Sequence, residues 1–172
     1  NVMCTPEGDP IILDFGLART LGAETPTLTR EGDVFGTPAY MSPEQLAGST
    51  PIDARSDVWS FAVTMYQTFC GVLPFPGPTF ESVAHAVTIS DPAPPQGHNA
   101  AIDRDTATIL GVALAKDPAR RYSSAVELAE DLRRVLAGEA IAARPPSFFE
   151  RAARWARRRP AVAAGLAVAI VL

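Results

Sequence analysis

Cysteine and histidine are scarce: Cys4 and Cys70, His85 and His98 are the full set, and they lie far apart without any paired spacing. That scarcity excludes a disulfide-stapled scaffold and a Cys/His zinc module, and it fits a reducing, cytoplasmic setting for the globular part. Lysine is rarer still, with Lys116 alone. No charged n-region followed by an apolar stretch opens the chain, so no secretory leader is read there. The first residue is Asn1 rather than Met, which suggests a piece of a longer protein.

The residues that are present are globular in kind. Hydrophobic residues make up 47% and charged residues 20%, enough apolar surface for a real core in 172 residues but short for two domains. The net charge of −4 hides a split. After residue 143, Arg144, Arg151, Arg154, Arg157, Arg158 and Arg159 face one acid, Glu150, whereas the rest of the chain is strongly acidic. A basic tail on an acidic body points to an anionic surface as partner of the tail alone.

Residues 1–13 predict a β-hairpin, with Val2-Met3-Cys4 and Ile11-Ile12-Leu13 flanking the turn residues Thr5-Pro6-Glu7-Gly8-Asp9. Residues 17–42 lack sustained periodicity and read as a long loop, a length uncommon in compact domains unless it serves function. Residues 56–70 carry Val58, Trp59, Phe61, Ala62, Val63, Met65, Tyr66 and Phe69 with almost no polar face. They predict a helix buried on nearly every side, stopped by Gly71 and Pro74. Helical patterns follow at 80–89 and 105–115, on either side of the Pro-rich loop 91–95. The helix at 124–137 has a capping box from Ser124 and Glu127, an apolar stripe of Ala125, Leu128, Ala129, Leu132 and Val135, and a stop at Gly138.

Beyond it, residues 138–146 read as a linker and 147–160 as a basic amphipathic segment. There Phe148, Phe149, Ala152, Trp155 and Ala156 share one helical face. Residues 161–172 have no charged or polar side chain. A helix of that length reaches about 18 Å, short of the roughly 20 residues a bilayer needs, so the run is taken as the start of a transmembrane helix. The arginines could instead serve nucleic acid or a solvated face. Next to an apolar run and Trp155 they fit a membrane interface better, with the arginine side cytoplasmic and no nucleic-acid partner.

The motifs that carry chemistry come in order. Leu13-Asp14-Phe15-Gly16 follows the second strand, and by itself is a weak, turn-like match. Then come Gly36-Thr37-Pro38-Ala39-Tyr40-Met41-Ser42-Pro43-Glu44, Asp57-Val58-Trp59-Ser60 on the apolar helix, and Asp117-Pro118-Ala119-Arg120-Arg121-Tyr122. In order, spacing and context, residues 1–137 resemble the C-terminal part of the Hanks-type, eukaryotic-like bacterial serine/threonine protein kinase domain. The bacterial assignment rests on that resemblance; the arginine-rich, lysine-poor composition adds only a hint of a GC-rich genome.

The resemblance implies an α+β but mainly helical fold: the C-lobe of a protein kinase with a short β-hairpin at its start, then a partial transmembrane helix. It implies ATP and Mg²⁺ as cofactors and protein Ser/Thr side chains as acceptors. Asn1, thirteen residues before Asp14, stands where the family's catalytic loop ends in a metal-binding Asn. The oxygens of Asn1 and Asp14 suit a hard cation. Phe15 would report the active state, Gly16 would let the backbone turn, and Thr37 would place its hydroxyl beside the catalytic aspartate of the parent protein. Glu44 would pair with Arg121, and Asp57 would brace the catalytic loop from the buried helix. Thr25, Thr27 and Thr29 are candidate phosphosites in the loop, with Arg30 adjacent. The rival reading is a pseudokinase or scaffold that binds partners without chemistry; intact Asn1, Asp14 and Thr37 speak against it. The isolated chain is expected to be inactive.

Overall fold

The computed structural model describes residues 2–13, 38–48 and 52–144. The chain divides into two compact units, residues 1–34 and 35–172. The described part of the first is a hairpin of β1 (Val2–Cys4) and β2 (Pro10–Ile12), antiparallel, with Val2 opposite Ile12 and Cys4 opposite Pro10. Its turn is closed by Thr5, whose N–H donates to Asp9 O and whose carbonyl accepts from Gly8 N, both at 2.9 Å. Gly8 sits at φ +94°, a conformation that side-chain-bearing residues rarely adopt. The expected hairpin is present.

The described part of the second unit is helical. Ser42 opens α1 (Pro43–Ala47) and Asp53 opens α2 (Ala54–Cys70). Next come α3 (Phe80–Ile89), α4 (Arg104–Ala113) and α5 (Ala125–Ala137), opened by Thr79, Asp103 and Ser124. Each opening residue has an extended backbone, and its side-chain oxygen accepts from an amide of the first turn, satisfying a donor the helix leaves free. At Asp103 the cap is doubled: Thr106 donates from both N (2.7 Å) and Oγ1 (2.6 Å). This cap starts α4 at Arg104, and the helix ends at Ala113 rather than near 115. Gly71 and Gly138 end α2 and α5 in the left-handed conformation.

The core is built on α2. Val58, Trp59, Ala62, Val63 and Tyr66 are buried there, joined by Val83 and Val87 of α3, Ile109, Leu110 and Ala113 of α4, and Leu128 of α5. Each large apolar side chain so buried contributes roughly 1.5–3 kcal/mol. The expectation that α2 is buried on nearly every side needs correction: Phe61 is 45% and Phe69 40% exposed. Tyr66 ties the Pro-rich loop to the same helix by donating to Ala93 O at 2.9 Å. Burial, then the nearby Cys70, push its hydroxyl up to about 12.

The capping box expected at Ser124 forms only half. Ser124 Oγ accepts from Glu127 N at 3.3 Å, but the Glu127 carboxylate accepts from Ser123 N, one residue early. Two complete boxes stand elsewhere, Ser42 with Gln45 and Thr79 with Ser82. On α5 the apolar stripe holds except for Ala125, which is exposed. Among the described residues no helix is long and apolar enough to cross a membrane. The basic segment at 147–160 and the apolar run at 161–172 lie outside the described residues.

Candidate functional site

Of the residues singled out from sequence, Glu44, Asp57 and Arg121 are described; Asn1, Asp14, Phe15, Gly16, Thr25, Thr27, Thr29 and Thr37 lie outside the described residues. The described residues nevertheless include the stretch just after Thr37, and it is held in detail.

Residues 38–40 make one 3-10 turn, Met41 follows, and Ser42 starts α1. One side of α2 is the template for this stretch. Ser60 Oγ donates to Tyr40 O at 2.9 Å, and the Tyr40 hydroxyl donates to the Gln67 side-chain oxygen. Nearer the start of α2, Ser42 and Ser56 hydroxyls meet at 3.3 Å, and Ser56 Oγ donates to Glu44 Oε1 at 2.7 Å. Ser56, Ser60 and Gln67 follow one another at helical spacings of four and seven, so a single face of one helix sets the path of residues 40–44.

Glu44 is then clamped from the far end of the chain. Arg121 Nη1 and Nη2 donate to its two carboxylate oxygens at 2.7 and 2.8 Å, a bidentate pair in which both side chains are buried. The remaining N–H groups of the guanidinium are also placed. Nε donates to Ala115 O at 2.7 Å, Nη1 to Arg55 O at 3.1 Å and Nη2 to Lys116 O at 3.2 Å. All five donors of the fork therefore meet an acceptor, the condition under which a buried ion pair is tolerated. Burial would raise the Glu44 pKa; the hydrogen bonds from Arg121 and Ser56, with the Arg121 charge, outweigh it and hold the carboxyl at about 2. The expected pairing of Glu44 with Arg121 is present in the structure.

An aromatic floor carries the clamp. The Trp59 and Phe75 rings stack with centroids 5.4 Å apart and 7° between their planes. The Arg121 guanidinium lies 4.9 Å from the Trp59 centroid, and Lys116 Nζ lies 4.9 Å from Trp59 and 3.6 Å from Phe75. Lys116 also donates to the Val87 carbonyl near the end of α3, where a cation is favoured by the helix dipole. Asp57 occupies the first turn of α2 and is exposed.

Several of these residues were not singled out from sequence. Ser42-Pro43-Glu44-Gln45 has the spacing of a capping box, so that cap was readable. Lys116 stood out as the single lysine, but its aromatic partners are 57 and 41 residues away in the chain and no local pattern announces them. Ser56, Ser60 and Gln67 look like ordinary polar interruptions of an apolar helix until the segment they bind is seen.

Comparison with known proteins gives a consistent picture. A family model described as the protein kinase domain matches residues 1–132. The chain is similar to the serine/threonine-protein kinase PknB of Mycobacterium tuberculosis strain H37Rv, 37% identical over 139 residues that cover 81% of this chain and 22% of that protein. PknB of Mycolicibacterium smegmatis is 38% identical over 140 residues, again 81% of this chain and 22% of the relative. The probable serine/threonine-protein kinase PknB of Corynebacterium glutamicum is 38% identical over 139 residues, 78% of this chain and 21% of the relative. The chain thus spans about a fifth of the length of the curated relatives it matches.

Proposed function

Because the chain belongs to the protein kinase family, we propose that it forms the helical C-lobe part of a bacterial serine/threonine kinase that transfers the γ-phosphoryl group of ATP to protein side chains. The observation that carries this reading is the buried bidentate clamp of Arg121 on Glu44. It fastens the stretch that follows Thr37 to α2, and so holds a substrate-side surface in one place. Phosphoryl transfer asks a protein chiefly for positioning and for neutralising charge on the phosphate oxygens, and a rigidly seated acceptor surface supplies the first.

Asp14 and Asn1 would hold Mg²⁺, since a carboxylate and an amide oxygen are the donors a hard cation takes. Bound there, the metal would neutralise charge on the nucleotide phosphates. The Thr37 hydroxyl would orient the acceptor, and Asp57, on the first turn of α2, would brace the catalytic loop of the parent protein. Residues 147–172 would anchor the parent to a membrane, with the arginine-bearing side cytoplasmic. Reporter fusions on either side of 161–172 test that orientation; a kinase side found outside the cytoplasm overturns it. Phosphate between Thr25 and Thr29 is expected in active full-length protein, and phosphopeptide mapping that finds this stretch unmodified overturns it.

The central test is Asp14→Asn in the full-length parent. Phosphate transfer to a protein substrate is expected to fall to background while thermal stability stays at the wild-type value. Retained activity would overturn the assignment of Asp14, and activity in the 172-residue chain alone would overturn the lobe reading.

A further inference from the structure

The second buried carboxylate of the body lies where the family match stops. Asp131 is on α5, fully buried, and the protein kinase match ends one residue later. Its partners lie on both sides of that limit. The Tyr122 hydroxyl donates to Oδ2 at 2.9 Å and Arg134 Nη1 to Oδ1 at 2.6 Å. The backbone N–H groups of Ala142 and Ala143 donate to Oδ1 and Oδ2, both at 2.8 Å. Each oxygen thus accepts two hydrogen bonds, one from a side chain and one from the chain beyond α5.

The path that brings those amides back is also built. Gly138 turns left-handed at φ +70°, and Glu139 N donates to Arg134 O at 2.8 Å, which reverses the chain at the end of the helix. Ile141 and Ala143, two residues apart, then pack against the core while Glu139, Ala140 and Ala142 stay exposed. An alternating, half-buried segment with two adjacent amides on one buried carboxylate is held in place far more firmly than a free linker.

We propose that residues 138–143 are a strap belonging to the folded lobe, latched by Asp131, so that the body extends past the end of α5 to Ala143. The latch shares a sequence neighbour with the clamp: Tyr122, which donates to Asp131, directly follows Arg121, which holds Glu44. The strap and the clamp are thus anchored by adjacent residues. On this proposal, residues 138–143 of the linker expected over 138–146 belong to the folded body.

Amide hydrogen exchange on the full chain tests this. In the wild type, residues 139–144 should exchange well below the rate of an unstructured segment. In Asp131→Asn, whose amide nitrogen meets the backbone donors, exchange there should rise about tenfold or more with α2 unchanged. If residues 139–144 of the wild type exchange as freely as an unfolded peptide, or Asp131→Asn leaves their protection intact, the strap is overturned. Should Asp131→Asn unfold the whole chain, Tyr122→Phe carries the test. It removes one of four donors and is expected to raise exchange in 139–144 several-fold with α2 protected; unchanged exchange there overturns the proposal.

Discussion

Glu44 and Asp131 are two buried carboxylates in one small helical body, and each is kept ionised by a different means. Glu44 takes a full guanidinium charge, bidentate, from a residue 77 positions away. Asp131 takes mostly neutral donors from close by: a phenol, two backbone amides and one arm of Arg134, whose side chain is 35% exposed. Burial would raise the Asp131 carboxyl. The Ala142 and Ala143 amides, then Arg134 and Tyr122, outweigh it and hold the group below the usual carboxylate range. Burial and the neighbouring Asp131 charge push the Tyr122 hydroxyl up in turn, as expected of a donor serving an anion. A buried anion thus needs a complete set of donors, but not a buried counter-charge. The fully charged solution joins distant parts of the chain, and the mostly neutral one fastens a local segment.

The difference can be broken experimentally, and removing Arg121 should break it most. Arg121→Ala strands Glu44 in the core and removes the Arg121 hydrogen bonds to the carbonyls of Arg55, Ala115 and Lys116. It is expected to cost about 3–5 kcal/mol in chemical denaturation. Arg134→Ala, by contrast, leaves Asp131 three of its four donors and should cost only about 1 kcal/mol. Equal losses from the two arginine variants would erase the distinction.

Acid titration reads the same contrast. The folded Glu44 pKa of about 2 lies below the ordinary value of 4.5 that the unfolded chain would show. Its contribution to stability is therefore fully present above pH 4.5 and is lost as pH falls from 4.5 towards 2. The size is about 3 kcal/mol over that window. Glu44→Gln should remove that part of the acid dependence. An unchanged slope of stability against pH in the variant would mean that Glu44 is not the group responsible. Ser56→Ala is smaller again, since it removes one donor to Glu44 and leaves the guanidinium in place; about 1 kcal/mol is expected from the denaturation midpoint.

How far this was legible in the sequence depends on the range of the interaction. Helix ends were readable where a cap lies within three residues of the turn it serves, as at Ser124, Gly71 and Gly138. The Glu44–Arg121 pair was readable only through the family resemblance, because nothing local links positions so far apart. The exposure of Phe61 and Phe69 was not readable: a helix apolar all round has no polar stripe that marks its solvent side. Asp131 stands among Leu128, Leu132 and Val135 on the buried side of α5, an acid where the period asks for an apolar residue. That mismatch was a signal, yet only the returning backbone amides explain it. The metal and acceptor roles expected of Asn1, Asp14 and Thr37 rest on resemblance, since those residues lie outside the described part of the chain.

The clamp also has a consequence in time. Arg121 leaves the ribosome 77 residues after Glu44, a delay of about 4–15 s at roughly 5–20 residues per second. Through that interval Glu44 lacks the Arg121 guanidinium that clamps it, and an ionised carboxylate does not enter the core alone. The stretch around residues 40–44 therefore cannot seat on α2 until the segment carrying Arg121 has emerged. A segment synthesised late decides when the stretch around residues 40–44 becomes fixed.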